Sequence, residues 1–133
     1  MIDKENEIFT RVKEAILAVY PNAKVDSSYQ PVPSGFPHVS LYQSDSTTPR
    51  AQLDSSALPK FVSFTFEAQV YSNDKNVKKQ ICKEIMGIIS DKMAEMNLTQ
   101  VICTPVMNLN DSSIYRLTAR FEGMADANGF YRR

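Results

Sequence analysis

The sequence predicts an α+β fold: a single domain over residues 1–133 with a mainly antiparallel central sheet flanked by two main helices, and a long loop between two strands. Two patterns carry this prediction. From Phe61 to Tyr71, the residues Val62, Phe64, Phe66, Ala68 and Val70 alternate with Ser63, Thr65, Glu67, Gln69 and Tyr71. That period of two sets one strand face on a core and leaves the other mostly polar. Immediately afterwards the spacing becomes helical. Val77, Ile81, Ile85 and Ile88/Ile89 recur every three or four residues, while Lys75, Lys78, Lys79 and Lys83 fall largely on other faces. A strand feeding an amphipathic helix, with further alternating strands downstream, describes helices layered on the apolar face of a sheet.

Taken in order, Asp3 is placed to cap a helix whose stripe is Ile8, Val12, Ile16 and Val19, with Glu5 and Glu7 at the end where the helix dipole favours anions. Pro21 stops it. A short extended piece follows at 24–29, and then PVPSGFP forms a rigid connection. His38 to Gln43 reads as a strand with Val39 and Leu41 on one face. Residues 44–60, SDSTTPRAQLDSSALPK, hold two prolines and no sustained period, so they read as a long polar arm between antiparallel strands. Beyond the strand at 61–71, Asn73/Asp74 cap the second helix. Gly87 inside that helix suggests a close approach to a neighbouring element. Gln100 to Met107 reads as a strand kept at an edge or bulge by Pro105. In Ile114 to Glu122, Tyr115, Leu117, Ala119 and Phe121 share one face, and Arg116, Thr118, Arg120 and Glu122 the other. Asn128-Gly129 favours a tight turn near the terminus.

Composition narrows the function classes. With 133 residues, the chain is long enough to bury about two-thirds of its unfolded surface. Fifteen basic residues balance fifteen acidic ones, and no basic run exceeds Lys78-Lys79. Specific nucleic-acid binding is therefore not expected, because it draws on clustered positive charge. No apolar run approaches the roughly 18 residues of a membrane span, and MIDKENEIF lacks the basic and apolar regions of a signal peptide. A cytosolic site of synthesis is expected. Cys82 and Cys103 read as small reduced core residues, and the sequons at Asn97 and Asn110 as chance matches.

Catalytic and metal patterns are missing from the sequence. His38 is the single histidine, too few to anchor a metal site with two distant cysteines. The stretch 108–119 fails as a calcium loop, because Ser113 stands where Gly is needed and Ala119 where a bidentate Glu is needed. No GxSxG elbow, GxGxxG or GxxxxGK occurs. What remains are interface candidates: Arg50 and Asp54 in the arm, Arg116 and Arg120 on one strand face, Glu67, and Tyr131 before the terminal arginines. The arginine row is either a solvated face or a partner for acids of a neighbouring subunit, such as Glu67 or Asp54.

The run GFPHVSL, the polar stretch 44–60, FVSFTFEAQVYSND, KKQICKEIMGIISDKM and YRLTARFEG ending in NGFYRR together resemble the tail terminator proteins of long-tailed (siphovirus-type) bacteriophages or prophages of Gram-positive bacteria. The resemblance covers nearly the whole chain. It implies a non-enzymatic virion protein without a cofactor, six copies of which form a ring on the head-proximal end of the tail. Such a ring ends tube polymerisation and offers the surface on which the head docks. The implied partners are further copies of the chain, the major tail tube protein and a head connector or stopper protein, with assembly in the host cytoplasm. Another head–tail joining or tail completion protein is the alternative within this class. From a different class, an RNA-binding α+β module would need stacking aromatics on the outer sheet face, where Glu67 sits at the centre of the best strand.

Overall fold

The computed structural model describes residues 4–28, 35–47, 62–107, 113–125 and 130–131. The elements are α1 (Glu5–Val19), β1 (Lys24–Asp26), β2 (His38–Thr47), β3 (Val62–Ser72), α2 (Lys78–Glu95), β4 (Thr99–Met107), β5 (Tyr115–Ala125) and β6 (Phe130–Tyr131). The α+β class stands as the sequence predicts. The six strands form one sheet in the order β1-β2-β3-β5-β4, with β6 also pairing β5. Among the described strands only the β1–β2 pair is parallel. At Met124 and Ala125 one edge of β5 is taken by Ser63 and Val62 of β3, so β6 must continue the line of β4 on the other edge.

Both helices cover one face of the sheet. From α1, Ile8, Val12 and Ile16 are fully buried at intervals of four residues, the spacing of one helical face. From α2 the buried set is Cys82, Ile85, Met86, Ile89 and Met93. They meet Val39 and Leu41 of β2, Val62, Phe64, Phe66, Ala68 and Val70 of β3, and Leu117, Ala119 and Phe121 of β5 in one continuous core. Each large apolar side chain so buried contributes about 1.5–3 kcal/mol. The sequence pattern therefore placed the core faces of β3 and β5 correctly. The helical stripes were drawn too long at their ends, since Val19, the last residue of α1, and Val77, which precedes α2, are exposed.

Local chemistry explains the boundaries. Asp74 Oδ1 accepts hydrogen bonds from the backbone N–H groups of Asn76 (2.9 Å) and Val77 (3.1 Å), capping the turn that leads into α2. These bonds favour the ionised carboxyl and hold it below its ordinary range. At the other end, Asn97 takes a left-handed φ of 62°. Leu98 N–H bonds to Met93 O and Asn97 N–H to Ala94 O, both at 3.0 Å. This is a Schellman ending, with Asn in the position that glycine most often fills. The Asp3 cap expected for α1 lies outside the described residues; at the described end, Lys4 precedes the helix without a side-chain cap.

Three expectations are corrected. The polar stretch does not begin at Ser44, because β2 runs on through a bulge at Ser44 to Thr47 in register with Ser63; the remainder, 48–60, lies outside the described residues. A Cβ added at Gly87 would meet nothing within 4 Å, so that glycine does not admit a close neighbour. Cys103 is exposed, because its strand is the sheet's margin. Cys82 is buried as expected, its thiol 3.6 Å from the carbonyl oxygens of Val70 and Tyr115 and pushed up to about 12 by burial.

Candidate interaction surface

Because the helices share one side of the sheet, the opposite side carries the alternate residues of each strand. Strand register aligns them in rows. His38 lies beside Tyr71, Tyr71 beside Arg116, and Arg116 beside Val106. The next rows are Ser40, Gln69, Thr118 and Thr104, then Tyr42, Glu67, Arg120 and Ile102. Three of the residues singled out in the sequence, Glu67, Arg116 and Arg120, thus lie together on one surface. Arg50 and Asp54 lie outside the described residues. Tyr131 is in β6, paired with Met124, at the far end of β5 from Arg116.

The inner part of this face is a connected polar network. Tyr71 donates to Gln69 Oε1 at 2.9 Å, and Gln69 Nε2 donates to Tyr42 Oη at 3.1 Å and to Glu67 Oε1 at 3.5 Å. The His38 ring meets the Tyr71 ring edge-on at 5.8 Å, and the Arg116 guanidinium stands 5.7 Å from the Tyr71 ring centre. His38 Nε2 and Ser40 Oγ are 3.3 Å apart. His38, Ser40, Gln69 and Tyr71 are all buried. Burial lowers the His38 pKa from its ordinary value; Asp26 opposes that shift and Lys24 adds to it. The face that the sequence marks as mostly polar is buried rather than open to solvent over its centre. β3 is the middle strand, so its long outward side chains are hemmed in from both sides, which a single strand's alternation cannot reveal.

Toward β4 the surface opens. Arg120 is exposed, with no ion pair among the described residues although Glu67 is its direct cross-strand neighbour. Ile102 beside it is 50% exposed, and Val106 is also exposed. Ile102 thus lies beside Arg120 and Val106 beside Arg116, and arginine next to exposed apolar side chains is a combination enriched at interfaces. The acid that sequence reasoning sought on a neighbouring subunit, Glu67, instead faces Arg120 within the same chain. Ile102 and Val106 were read only as strand residues; the edge position signalled by Pro105 was the clue that would have exposed them.

Among the described residues no three His, Cys, Asp or Glu side chains converge on a point that could hold a metal ion, and no described helix is long and apolar enough to cross a membrane. Tyr71 is fully buried and hydrogen-bonded, so it cannot serve as a stacking platform for bases.

No protein-family model matches the chain, and no curated protein matches it by sequence. A solved structure does share the fold. A chain from the virion of a native gene transfer agent particle superposes with a TM-score of 0.63 at 15% identity, covering 89% of this chain and 93% of that one. The two therefore share an architecture across almost their full lengths.

Proposed function

We propose that this chain is a structural protein of a phage-like virion, and that it acts as the tail terminator: a ring, six copies in its simplest form, seated on the head-proximal end of the tail tube. The observation that carries the reading is the near full-length fold likeness to a virion chain, joined to the sequence resemblance to tail terminators. A ring needs head-to-tail interfaces that close on themselves. The exposed margin formed by Arg120, Ile102 and Val106 supplies one half of such an interface, and its placement at one edge of the sheet suits a neighbour arriving from that side. Partners in this reading are further copies of the chain, the tail tube protein and the head connector or stopper. The role is mechanical and needs neither catalysis nor a cofactor.

The alternative within the class, a head–tail joining protein of the head pathway, differs in where the protein resides before heads and tails meet. Tails purified from a host whose heads cannot form should carry this chain at one end only, visible by antibody labelling in electron microscopy. Label on heads alone would transfer the protein to the head pathway.

A further inference from the structure

The two edges of the sheet are treated differently. On the β2 side, β1 pairs with His38–Ser40 and the Gln43 N–H is taken by Glu5 Oε2 at 2.9 Å. On the β4 side no described strand pairs beyond Thr99–Met107. That segment, TQVICTPVM, contains no charged residue; of the usual means of protecting an edge it has Pro105 and the bulge between Gln100 and Ile102, so its protection is confined to those two points. Its described side chains are all exposed, including Val101 at 53% in the bulge.

Between β4 and α2 runs a groove of about 390 Å³. Met86, Cys103, Pro105 and Leu117 line its apolar part, and Lys79 and Lys83 its rim. Gly87 lies in the wall. Glycine weakens a helix interior, and here no packing contact requires it, since a Cβ would enter open space; its effect is to keep the groove wide. The lysines are equally contrary to local stability. Lys78 and Lys79 open α2 with no acid in the first turn, at the end whose dipole repels cations; Lys78 Nζ donates to Ser113 O at 3.0 Å, and Lys75 and Lys83 flank the pair. The nearby acids are already engaged: Glu84 accepts from Tyr20 and Gln80, and Asp74 is held in its cap. Violations of local preference that converge on one place mark function rather than folding.

We propose that this groove and the β4 edge together receive an extended, acidic segment of another protein, which adds to the sheet as a strand beyond β4. Main-chain bonds to the edge on either side of Pro105, which has no N–H to give, supply the binding, and alternate side chains of the segment enter the groove beneath Lys79 and Lys83. The apolar floor and the strand edge favour a peptide over a nucleic acid, whose backbone would use the lysines alone. The groove lies on the helix side of β4, whereas Ile102 and Val106 belong to its outward face; both readings use the β4 edge, so the segment and a ring neighbour would occupy that edge in turn.

The test is an NMR titration of the isotope-labelled full chain with a blocked eight-residue peptide alternating Glu and Val. Saturable shifts at residues 101–106 and 86–90 are expected, as is slowed amide exchange along β4. Gly87→Leu, which fills the groove while favouring the helix, and the pair Lys79→Glu/Lys83→Glu should each weaken binding about tenfold with the fold intact. A peptide alternating Lys and Val that binds equally well would overturn the proposal. So would a twelve-nucleotide single strand that competes for the same amides, protection of β4 that rises with protein concentration alone, or the absence of saturable shifts.

Discussion

Gly123 offers the sharpest test of the packing that seats β4. It lies in the inward row of β5, where an added Cβ would stand 2.8 Å from Leu98 Cγ, 3.3 Å from Leu98 Cδ1 and 3.2 Å from Phe64 Cζ. Carbon atoms rest about 3.5–4.0 Å apart, so Gly123→Ala requires two buried side chains to move; Leu98 is 5% and Phe64 2% exposed. Replacing glycine restricts the unfolded chain and favours folding by about 0.4–1 kcal/mol. Overpacking opposes this with about 1–3 kcal/mol, leaving a net loss of about 1–2 kcal/mol. For a domain of this size the melting temperature should fall by about 4–8 °C. Leu98→Ala alone should cost about 2–4 kcal/mol, but it also removes the Cγ that the new methyl would strike. The double variant should then be more stable than additivity predicts by about 1–2 kcal/mol, measured by urea unfolding followed by circular dichroism. Strict additivity, or a Gly123→Ala variant as stable as the parent, would refute the close approach.

Three further outcomes follow from the same structure. At Asn97, Asn97→Ala should lose about 1 kcal/mol because the left-handed backbone disfavours a Cβ without a local polar group, whereas Asn97→Gly should be neutral or better; equal melting temperatures for the two would contradict the Schellman ending. The lowered pKa of His38 means that the unfolded chain binds the proton first, so the His38 contribution is intact above pH 6.5 and declines as pH falls below it. Wild type should accordingly lose more thermal stability than His38→Gln between pH 7 and pH 5.5, and parallel losses would remove the histidine from the account. Arg120→Gln should leave the unfolding free energy unchanged within about 0.5 kcal/mol, since the side chain is exposed, yet, on the proposed ring role, lower the yield of particles in a complementation assay; full complementation would take Arg120 out of the proposed interface.

The parts of the fold legible in the sequence are those fixed by local periodicity. Val62, Phe64, Phe66, Ala68 and Val70 alternate without interruption, and all are buried; Ile8, Val12 and Ile16 repeat every fourth residue and pack as one stripe. What periodicity omits is the order of strands. Gln69 and Tyr71 look like an outer polar face in isolation, but with β2 on one side of β3 and β5 on the other they become the buried centre of a network. The same omission concealed the exposure of Cys103, Ile102 and Val106, which depends on β4 being last in the sheet. Arg116 and Arg120 were found because their alternation with Leu117, Ala119 and Phe121 is local. Their neighbours Tyr71 and Glu67 depend on a register set across about fifty residues of chain. Asn97 directly after the last periodic residue is a helix-stop signal, and the structure uses it as one.

The central claim, the proposed tail-terminator role, is most directly tested by deleting this chain's gene from the genome that encodes it and imaging the particles in the lysate by electron microscopy. The account predicts overlong or irregular tail tubes beside unattached, DNA-filled heads. Tails of normal length that fail to join heads, or normal particles, would contradict it.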